Sequence, residues 1–533
     1  MLPPRQRFSA SRGQGGEAAP AEALPGAPEA TVSGFPLSPL RSGGSAALEL
    51  VLGLALIWFL YRTAAGAFFV AEDFESLRSD WRSVGAELLH AGGLPGVRAG
   101  TVAFFALFAP LFGRDPEPYR LVLWPLFALC GLAVVRIGIA CRLAPPAALF
   151  AGIAFLAAPI HPEAVVWLAS AAGTVPSSLL VLIAVALWVR EAVPSRGVVA
   201  ICAALFLLAM WTKETALALP PLLAVVDFAR GEFPGLHPAK LWKRYGWTAG
   251  VLAFYLAWLA AIGELRPALG YGFEVTSRSS YYLSVWSAYA QDLLRPLAPA
   301  KAWALQPAKW SWATVAWPWL GAFLLLLSLR RLRWALLWVM AGLLPGLTKY
   351  GARLTFLAVA GIAFAAAIAL QELALRLQRR VSARRQFAAG LAPFLVAVPL
   401  LLVADHRALE PQLANWVRAG EFARWLPVEV RRQVPAPPPG AEFFFAGLVD
   451  NFDGAGSLRM GIVSEIRRVY GDDTLVSWNV RDGPARGPRR PLKSIPCEAA
   501  TTRFFLRFDA AEGRLLRQSA AEFGVRCLSL IHI

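Results

Sequence analysis

Charged residues are scarce in this chain. Only 16% of its 533 residues are Asp, Glu, Lys or Arg, whereas 57% are hydrophobic and the mean hydropathy is +0.51. This composition excludes a water-soluble globule of the same length, which would need more polar surface. The chain must bury most of its surface in lipid, and apolar stretches recur from residue 46 to residue 404. They predict many membrane spans rather than one anchor.

Acidic residues are scarcer than basic ones, with 35 Asp and Glu against 52 Lys and Arg, and the formal net charge is +17. Nucleic acid would be one partner for such a charge. The basic residues, however, fall in short clusters between apolar runs, as at Arg330, Arg331 and Arg333. Such clusters are typical of cytoplasmic loops. Membrane topology therefore explains the charge better, and anionic lipid or another ligand stays open as a lesser alternative.

Cysteine is also rare, with five in the chain. Cys130, Cys141 and Cys202 lie in or beside predicted spans, where the role of a small apolar residue is the simplest interpretation. Cys497 and Cys527 share the last soluble segment. A disulfide between them and two free thiols are equally open if that segment is periplasmic.

The apolar run 101–112 decides the topology, because counting it as a span reverses the side of every later loop. At about 12 residues it is short for a bilayer core of about 30 Å, and it suits an interfacial or re-entrant segment. Placing it in a long first outer loop, 71–118, puts the later basic clusters inside. The sequence thus predicts an all-α polytopic membrane protein with its N-terminus inside. About eleven spans are expected: 46–70, 119–141, 144–160, 167–189, 197–211, 215–229, 246–262, 312–329, 334–347, 354–375 and 388–404.

Composition marks three further regions. Residues 1–45 are rich in Gly, Pro, Ala and Ser without periodicity, which predicts a disordered cytoplasmic tail. Residues 405–527 are predicted to form a small soluble α/β domain on the periplasmic side, with alternating apolar runs. Residues 528–533 match one reading frame of a common transposase sequencing adaptor and are interpreted as a sequencing artefact. The Ala, Arg and Pro bias favours a bacterial inner membrane.

Ionisable residues near the outer ends of the spans are the candidates for chemistry, since a charge at mid-membrane costs about 2.5 to 3.5 kcal/mol. Glu72 and Asp73 directly follow the first span. Adjacent carboxylates can hold a divalent cation, or one of them can act as a base toward an acceptor hydroxyl. Simple solvation at the interface is the alternative.

Two further outer segments combine charge with helix-start signals. His161, Glu163 and Trp167 lie between the third and fourth spans in HPEAVVW, where a helix start with an interfacial Trp is the alternative to a site. Lys213 and Glu214 lie between the fifth and sixth spans. A lysine there can neutralise a lipid phosphate, with an ion pair that serves only helix packing as the alternative.

The outer loop between the ninth and tenth spans holds Lys349 and Arg353. A guanidinium that faces a membrane cavity suits a pyrophosphate or a phosphate diester, because it presents a planar fork of donors. A snorkelling arginine at a helix start is the alternative interpretation.

Taken in order, these segments resemble the motifs of the GT-C superfamily of polyprenyl-phosphate-sugar-dependent glycosyltransferases. The likeness is greatest to protein O-mannosyltransferases and to the membrane half of the tetratricopeptide-repeat transmembrane O-mannosyltransferases. The matching positions are Glu72 and Asp73, Arg98 with 111–113, His161 to Trp167, Lys213 and Glu214 with Leu219 and Pro220, and 343–345 with 353–358. Ala99 stands where the family has proline, and 171–175 lacks the family's acid and arginine.

The resemblance implies a GT-C-like membrane domain over 46–404 and inverting transfer of a sugar from a polyprenyl-phosphate donor to a hydroxyl of a periplasmic protein or glycan. It makes Asp73 and Glu72 the catalytic residues. A divalent metal, Mg²⁺ or Mn²⁺, at these two carboxylates stays open, since some members use one and others do not. No other cofactor is expected. The donor-binding residues would be Arg98, His161, Glu163, Trp167, Lys213, Glu214 and Arg353.

Two other classes of function stay open on sequence alone. A polytopic transporter or flippase fits the span count, although the chain shows no convincing internal repeat with matched broken helices. A non-catalytic membrane scaffold is consistent with the missing motif residues.

Overall fold

The computed structural model describes residues 43–89, 98–263, 289, 329, 331–346, 351–449, 451–452, 455–458, 461–480, 502–519 and 522. Several predicted features lie outside these residues. They are the tail up to residue 42, the span 312–329 apart from residue 329, Lys349, Cys497, Cys527 and the segment 528–533.

The helices begin where the sequence places proline or a capping side chain. Pro116 opens its helix behind Asp115, whose side chain accepts from the Glu117 N–H at 3.1 Å. The described helices are α1 Gly43–Tyr61, α2 Asp73–Ser76, α3 Trp81–Leu89, α4 Ala99–Phe112, α5 Pro116–Ala140, α6 Pro145–Ala157, α7 Pro162–Val165, α8 Leu168–Trp188, α9 Arg196–Thr212, α10 Leu219–Arg230, α11 Pro238–Ala261, α12 Arg333–Leu343, α13 Phe356–Gln378 and α14 Ala383–Gln433. Short 3₁₀ turns lie at Arg62–Ala64, Glu214–Ala218, Leu344–Gly346 and Ala352–Thr355.

Five helical segments in the described residues are long and apolar enough to cross a membrane: Ala46–Ala64, Pro116–Ala140, Leu168–Trp188, Ala352–Gln378 and Ala383–Gln433. Shorter apolar helices accompany them at Ala99–Phe112, Pro145–Ala157 and Arg196–Thr212. The prediction of a helical membrane protein with several spans is confirmed. The exact number of spans stays a prediction. At 14 residues, α4 is about 21 Å long, which is shorter than a bilayer core of about 30 Å.

Small residues let the helices approach closely, as is common in membrane bundles. A Cβ added at Gly342 in α12 would lie 2.6 Å from the Ala358 nitrogen of α13. One added at Gly361 in α13 would lie 2.7 Å from the Ala335 oxygen of α12. Helix α8 packs against both α5 and α9.

The last membrane helix, α14, is 51 residues long and continues past Asp405 to Gln433 without a break. An α/β unit follows it, with strands β1 Glu442–Ala446, β2 Asn451–Phe452, β3 Ala455–Gly456, β4 Val476–Val480, β5 Arg503–Asp509 and β6 Arg514–Gln518, and helix α15 Ile462–Tyr470. The main sheet has the order β4-β1-β5-β6. Strand β1 is parallel to both neighbours, and β5 and β6 are antiparallel. We refer to residues 434–519 as the C-terminal unit.

Candidate functional site

Five of the predicted site residues come together around the start of α8. They are Arg98, Glu163, Lys213, Glu214 and Arg353, and we call them the charged cluster. Arg98 precedes α4, Glu163 lies in α7, and Arg353 lies in the 3₁₀ turn before α13. Lys213 and Glu214 occupy the break between α9 and the turn that leads to α10. Four separate chain segments therefore deliver charge to one place.

Arg353 and Glu163 form an ion pair across 190 residues of sequence. The Arg353 guanidinium donates to Glu163 Oε1, and the Arg353 backbone N–H donates to Glu163 Oε2 at 3.3 Å. The Arg353 Cζ atom also lies 5.2 Å from the centre of the Trp167 ring, which stacks on Trp416 of α14. Stacking and the carboxylate fix the plane of the guanidinium. The Trp167 Nε1–H is buried and has no hydrogen-bond partner in the described residues.

Lys213 is buried, and its Nζ donates to Thr174 Oγ1 at 2.6 Å. Its stem passes Gly173, where an added Cβ would lie 3.3 Å from the Lys213 Cδ. Burial, the positive charge of Arg353 and that of Arg98 lower the pKa of Lys213 to about 7, against the opposing pull of Glu214 and Glu163. The ammonium is thus poorly neutralised where it lies, and an anion would stabilise its charged form.

Arg98 and Glu214 complete the charged cluster. Arg98 Nη2 lies 4.0 Å from Glu214 Oε1, and both side chains are partly exposed. Glu163 and Glu214 face the three cations, and Glu87 accepts from the Arg98 backbone N–H at 3.5 Å. Two guanidinium groups and an ammonium in one place are suited to a phosphate group.

Asp73 lies at the N-terminus of the same helix, α8. Its Oδ1 accepts from the Ala169 N–H at 2.6 Å and its Oδ2 accepts from the Val70 N–H at 2.9 Å. The helix has Trp167 at its N-cap position without a side-chain cap of its own, so Asp73 supplies the cap from the first outer loop. Burial raises the pKa of Asp73 to about 7, although both backbone hydrogen bonds and Arg120 oppose this shift. Asp73 is fully buried.

Glu72 differs from its neighbour, because its Oε2 is buried without a hydrogen-bond partner in the described residues. Burial and the charge of Glu72 raise the pKa of Glu75, which lies three residues further along the chain. A metal cage needs more donors than this pair offers. The described residues contain no group of three or more His, Cys, Asp and Glu side chains placed to hold a metal ion, and both Asp73 oxygens already accept from backbone N–H groups. The metal at Glu72 and Asp73 stays a prediction.

His161 lies apart from the charged cluster, in the core. Its ring is enclosed by Phe127, Phe155 and Phe356, with ring centres 4.7 to 5.3 Å away, and its Nε2–H donates to the Phe155 carbonyl oxygen at 2.8 Å. Burial lowers the pKa of His161 to about 4, so the ring is neutral. A neutral, enclosed imidazole favours a packing role, and a donor-binding role of His161 stays a prediction.

Two residues of this region escaped the sequence interpretation. Thr174 holds Lys213, and it belongs to a polar stripe on α8 with Ser170, Ser177 and Ser178. The spacing of that stripe, one face of a helix in an otherwise apolar span, was a usable signal. Arg120 of α5 is buried and donates to the carbonyl oxygens of Ala65 and Val166, 2.8 and 3.1 Å away. An arginine inside a predicted span is itself a signal.

No protein-family model and no curated protein sequence matches the chain. Two solved structures of ArnT from Cupriavidus metallidurans are similar to it. The one bound to undecaprenyl phosphate has a TM-score of 0.48 and 13% identity, and the alignment covers 88% of this chain and 94% of that one. The apo structure has a TM-score of 0.46 and 16% identity, covering 83% and 86%. At this identity the likeness concerns the fold.

Proposed function

We propose that this protein is a membrane glycosyltransferase that moves a sugar from a polyprenyl-phosphate donor to an acceptor hydroxyl. The observation that carries the proposal is the convergence of Arg98, Lys213 and Arg353 at the end of α8 that also holds Asp73. Asp73 accepts from the Ala169 N–H and Lys213 donates to Thr174, so both groups contact the first two turns of α8. A carboxylate and three cations are thus held by one end of the same helix.

The donor phosphate would lie among the three cations of the charged cluster. Lys213 would regain full charge beside it, and the Trp167 Nε1–H would gain an acceptor. As the bond between the anomeric carbon and the phosphate oxygen breaks, negative charge grows on the leaving phosphate. Fixed cations stabilise that charge without rearrangement. The polyprenyl chain would extend into the lipid beside the bundle.

The acceptor hydroxyl would transfer its proton to the carboxylate of Asp73 as its oxygen bonds to the anomeric carbon. The electron pair of the broken bond would leave with the polyprenyl phosphate. Because the hydroxyl oxygen would attack from the face opposite that phosphate, the configuration at the anomeric carbon would invert. A carboxylate offers about four acceptor positions, so two backbone hydrogen bonds leave room for a third donor. Glu72 would sustain the negative field at the same point.

The outer face of a bacterial inner membrane is the proposed location of this reaction. Topology supports it, because the arrangement that places most basic clusters inside also places the charged cluster outside. The acceptor would then be a periplasmic protein or glycan, and the N-terminus would be cytoplasmic.

The test uses membranes that contain the full chain and a polyprenyl-phosphate donor with a radiolabelled sugar. Label covalently attached to an acceptor supports the transferase. Label that crosses the membrane without transfer identifies a transporter, and label that does neither identifies a scaffold. Either of the last two results overturns the proposal.

The roles of the two carboxylates are separated by Asp73→Asn and Glu72→Gln. We expect Asp73→Asn to lower transfer about 10²-fold or more, because it removes the base, while Glu72→Gln costs about tenfold or less. The amide nitrogen of asparagine cannot accept a hydrogen bond, so Asp73→Asn keeps at most one of the two bonds from the Val70 and Ala169 N–H groups. Expression and thermal stability of the variant are therefore measured in parallel. If Asp73→Asn keeps full turnover and Glu72→Gln loses it, Glu72 and not Asp73 is the base.

A further inference from the structure

The loop that carries Glu72 and Asp73 is in direct contact with the C-terminal unit. The Ala71 N–H donates to the Ser457 carbonyl oxygen, and a Cβ added at Gly461 would lie 2.0 Å from the Ala71 oxygen. Ala71 itself has φ of 47°, a conformation that residues other than glycine adopt only when surrounding contacts hold them there. The residue before Glu72 is therefore fixed through its backbone on both sides by a distant part of the chain.

A buried ion pair lies beside this backbone contact. Glu465 of α15 accepts from Arg114 Nη2 through both carboxylate oxygens, at 2.7 and 2.8 Å, and also pairs with Arg468. The Glu465 side chain is only 4% exposed, whereas Arg114, in the loop between α4 and α5, is one-third exposed. Because its carboxylate is buried, this pair is expected to contribute more than an exposed surface pair.

Arg114 also contacts the loop that carries Glu72 and Asp73. Its Cζ lies 5.5 Å from the ring centre of Phe68 and 5.8 Å from that of Phe74. These two rings lie on either side of Glu72 and Asp73 in the sequence, and they pack on Phe69. At Gly420, α14 also approaches the Phe68 backbone, where a Cβ would lie 2.6 Å from the nitrogen. Every one of these contacts acts on residues 68–74.

We propose that the C-terminal unit is a positioning element of the site, with Glu465 acting through Arg114 and Gly461 acting through Ala71 to hold Asp73 at the N-terminus of α8. The consequence for turnover rests on the proposed glycosyltransferase function, whereas the structural coupling does not. Glu465 and Gly461 contact neither the charged cluster nor Asp73 in the described contacts, so they are positioning residues.

The coupling is tested by hydrogen exchange of the full chain in lipid nanodiscs. In Glu465→Gln, we expect the backbone amides of residues 68–74 to exchange about tenfold faster or more, because local opening becomes easier by about 1.4 kcal/mol. Amides in the middle of α5 and α8 should keep their wild-type rates. The matched control is Asp473→Asn, which removes an exposed pair with Arg78 between the same two regions and should change nothing.

Turnover provides the second measurement. Glu465→Gln should lower kcat about tenfold while the KM for the donor stays unchanged, since the charged cluster is untouched. Glu465→Asp, which keeps the charge, should restore part of the lost kcat. A variant that merely lowered the folded fraction would reduce apparent activity without faster exchange confined to 68–74.

The outcomes separate the two proposals. Faster exchange in a chain without transferase activity supports the coupling and defeats the glycosyltransferase. Wild-type exchange and turnover in Glu465→Gln overturn the coupling and leave the glycosyltransferase intact. If Glu465→Gln does not accumulate, the same hydrogen-exchange measurement is made on Arg114→Gln, which changes the more exposed partner of the pair. Unchanged exchange at 68–74 in that variant overturns the inference.

Discussion

The two ends of α8 both meet buried charge, but they satisfy it in different ways. At the C-terminal end, Asp227 accepts from Arg244 through both oxygens, at 2.5 and 2.6 Å, and also from Tyr245 and Trp188. At the N-terminal end, Arg98, Lys213 and Arg353 meet Glu163 and Glu214, and the buried Lys213 ammonium has a hydroxyl as its hydrogen-bond partner. A carboxylate saturated by cationic and neutral donors favours structure, whereas a buried ammonium held by a hydroxyl favours an anionic ligand.

Position in the fold explains why one end can be saturated. Asp227, Arg244 and Trp188 lie within the helices α10, α11 and α8. The charged cluster instead comes from 3₁₀ turns, from the short helix α7 and from the residue before α4. Such breaks point backbone and side-chain groups into a shared space, which is where membrane proteins place their substrate sites.

The largest expected effect is on the saturated end. Asp227→Asn should lower the free energy of unfolding by about 3 to 5 kcal/mol, because it leaves the mostly buried Arg244 without its bidentate partner. Thermal unfolding in detergent measures this loss. Protein that folds at low temperature should still bind donor as the wild type does. An unchanged unfolding temperature would show that the two ends do not differ as described.

At the N-terminal end of α8, we expect Lys213→Met to change stability little and sugar transfer strongly. Lys213→Met keeps the volume of the stem and removes a buried charge, so the unfolding temperature should hold or rise. Sugar transfer should fall about 10² to 10³-fold, since a stabiliser of the leaving phosphate is lost. The control is Arg331→Gln, an exposed arginine outside the charged cluster. Equal losses in both variants would point to a general effect of charge.

The pH dependence of donor binding sharpens the comparison further. Because the pKa of Lys213 is about 7 without donor, the ammonium is protonated below this pH and loses its proton above it. Donor Kd should be constant below about pH 7 and rise by up to about tenfold per pH unit above it. A sugar phosphodiester is the suitable probe, since its single charge is constant over this range.

Thr174→Val adds a check on the same titration. Loss of the hydroxyl that accepts from Nζ removes a hydrogen bond to the charged form, so the midpoint should move to lower pH. Thr174→Ser should keep the wild-type midpoint. A pH profile that is flat in the wild type would remove Lys213 from donor binding.

Sequence patterns predicted the helices well because an apolar run must form a helix in lipid, where every backbone group needs an internal partner. They also placed Glu163, Lys213 and Arg353 at helix ends, where charge is tolerated. They predicted the same donor-binding role for His161, whose surroundings differ. Its aromatic enclosure depends on Phe127 and Phe356, which are distant in sequence, and no local pattern contains that information.

The amino-acid sequence by itself determined that the chain enters the membrane and that its ionisable groups collect at the ends of helices, since these follow from the cost of placing polar groups in hydrocarbon. Only the tertiary structure decided which of them meet. Arg353 reaches Glu163, Asp73 reaches the start of α8, and Glu465 reaches Arg114 across 351 residues. Such contacts depend on how whole helices pack, and packing is a property of surfaces that no single segment carries.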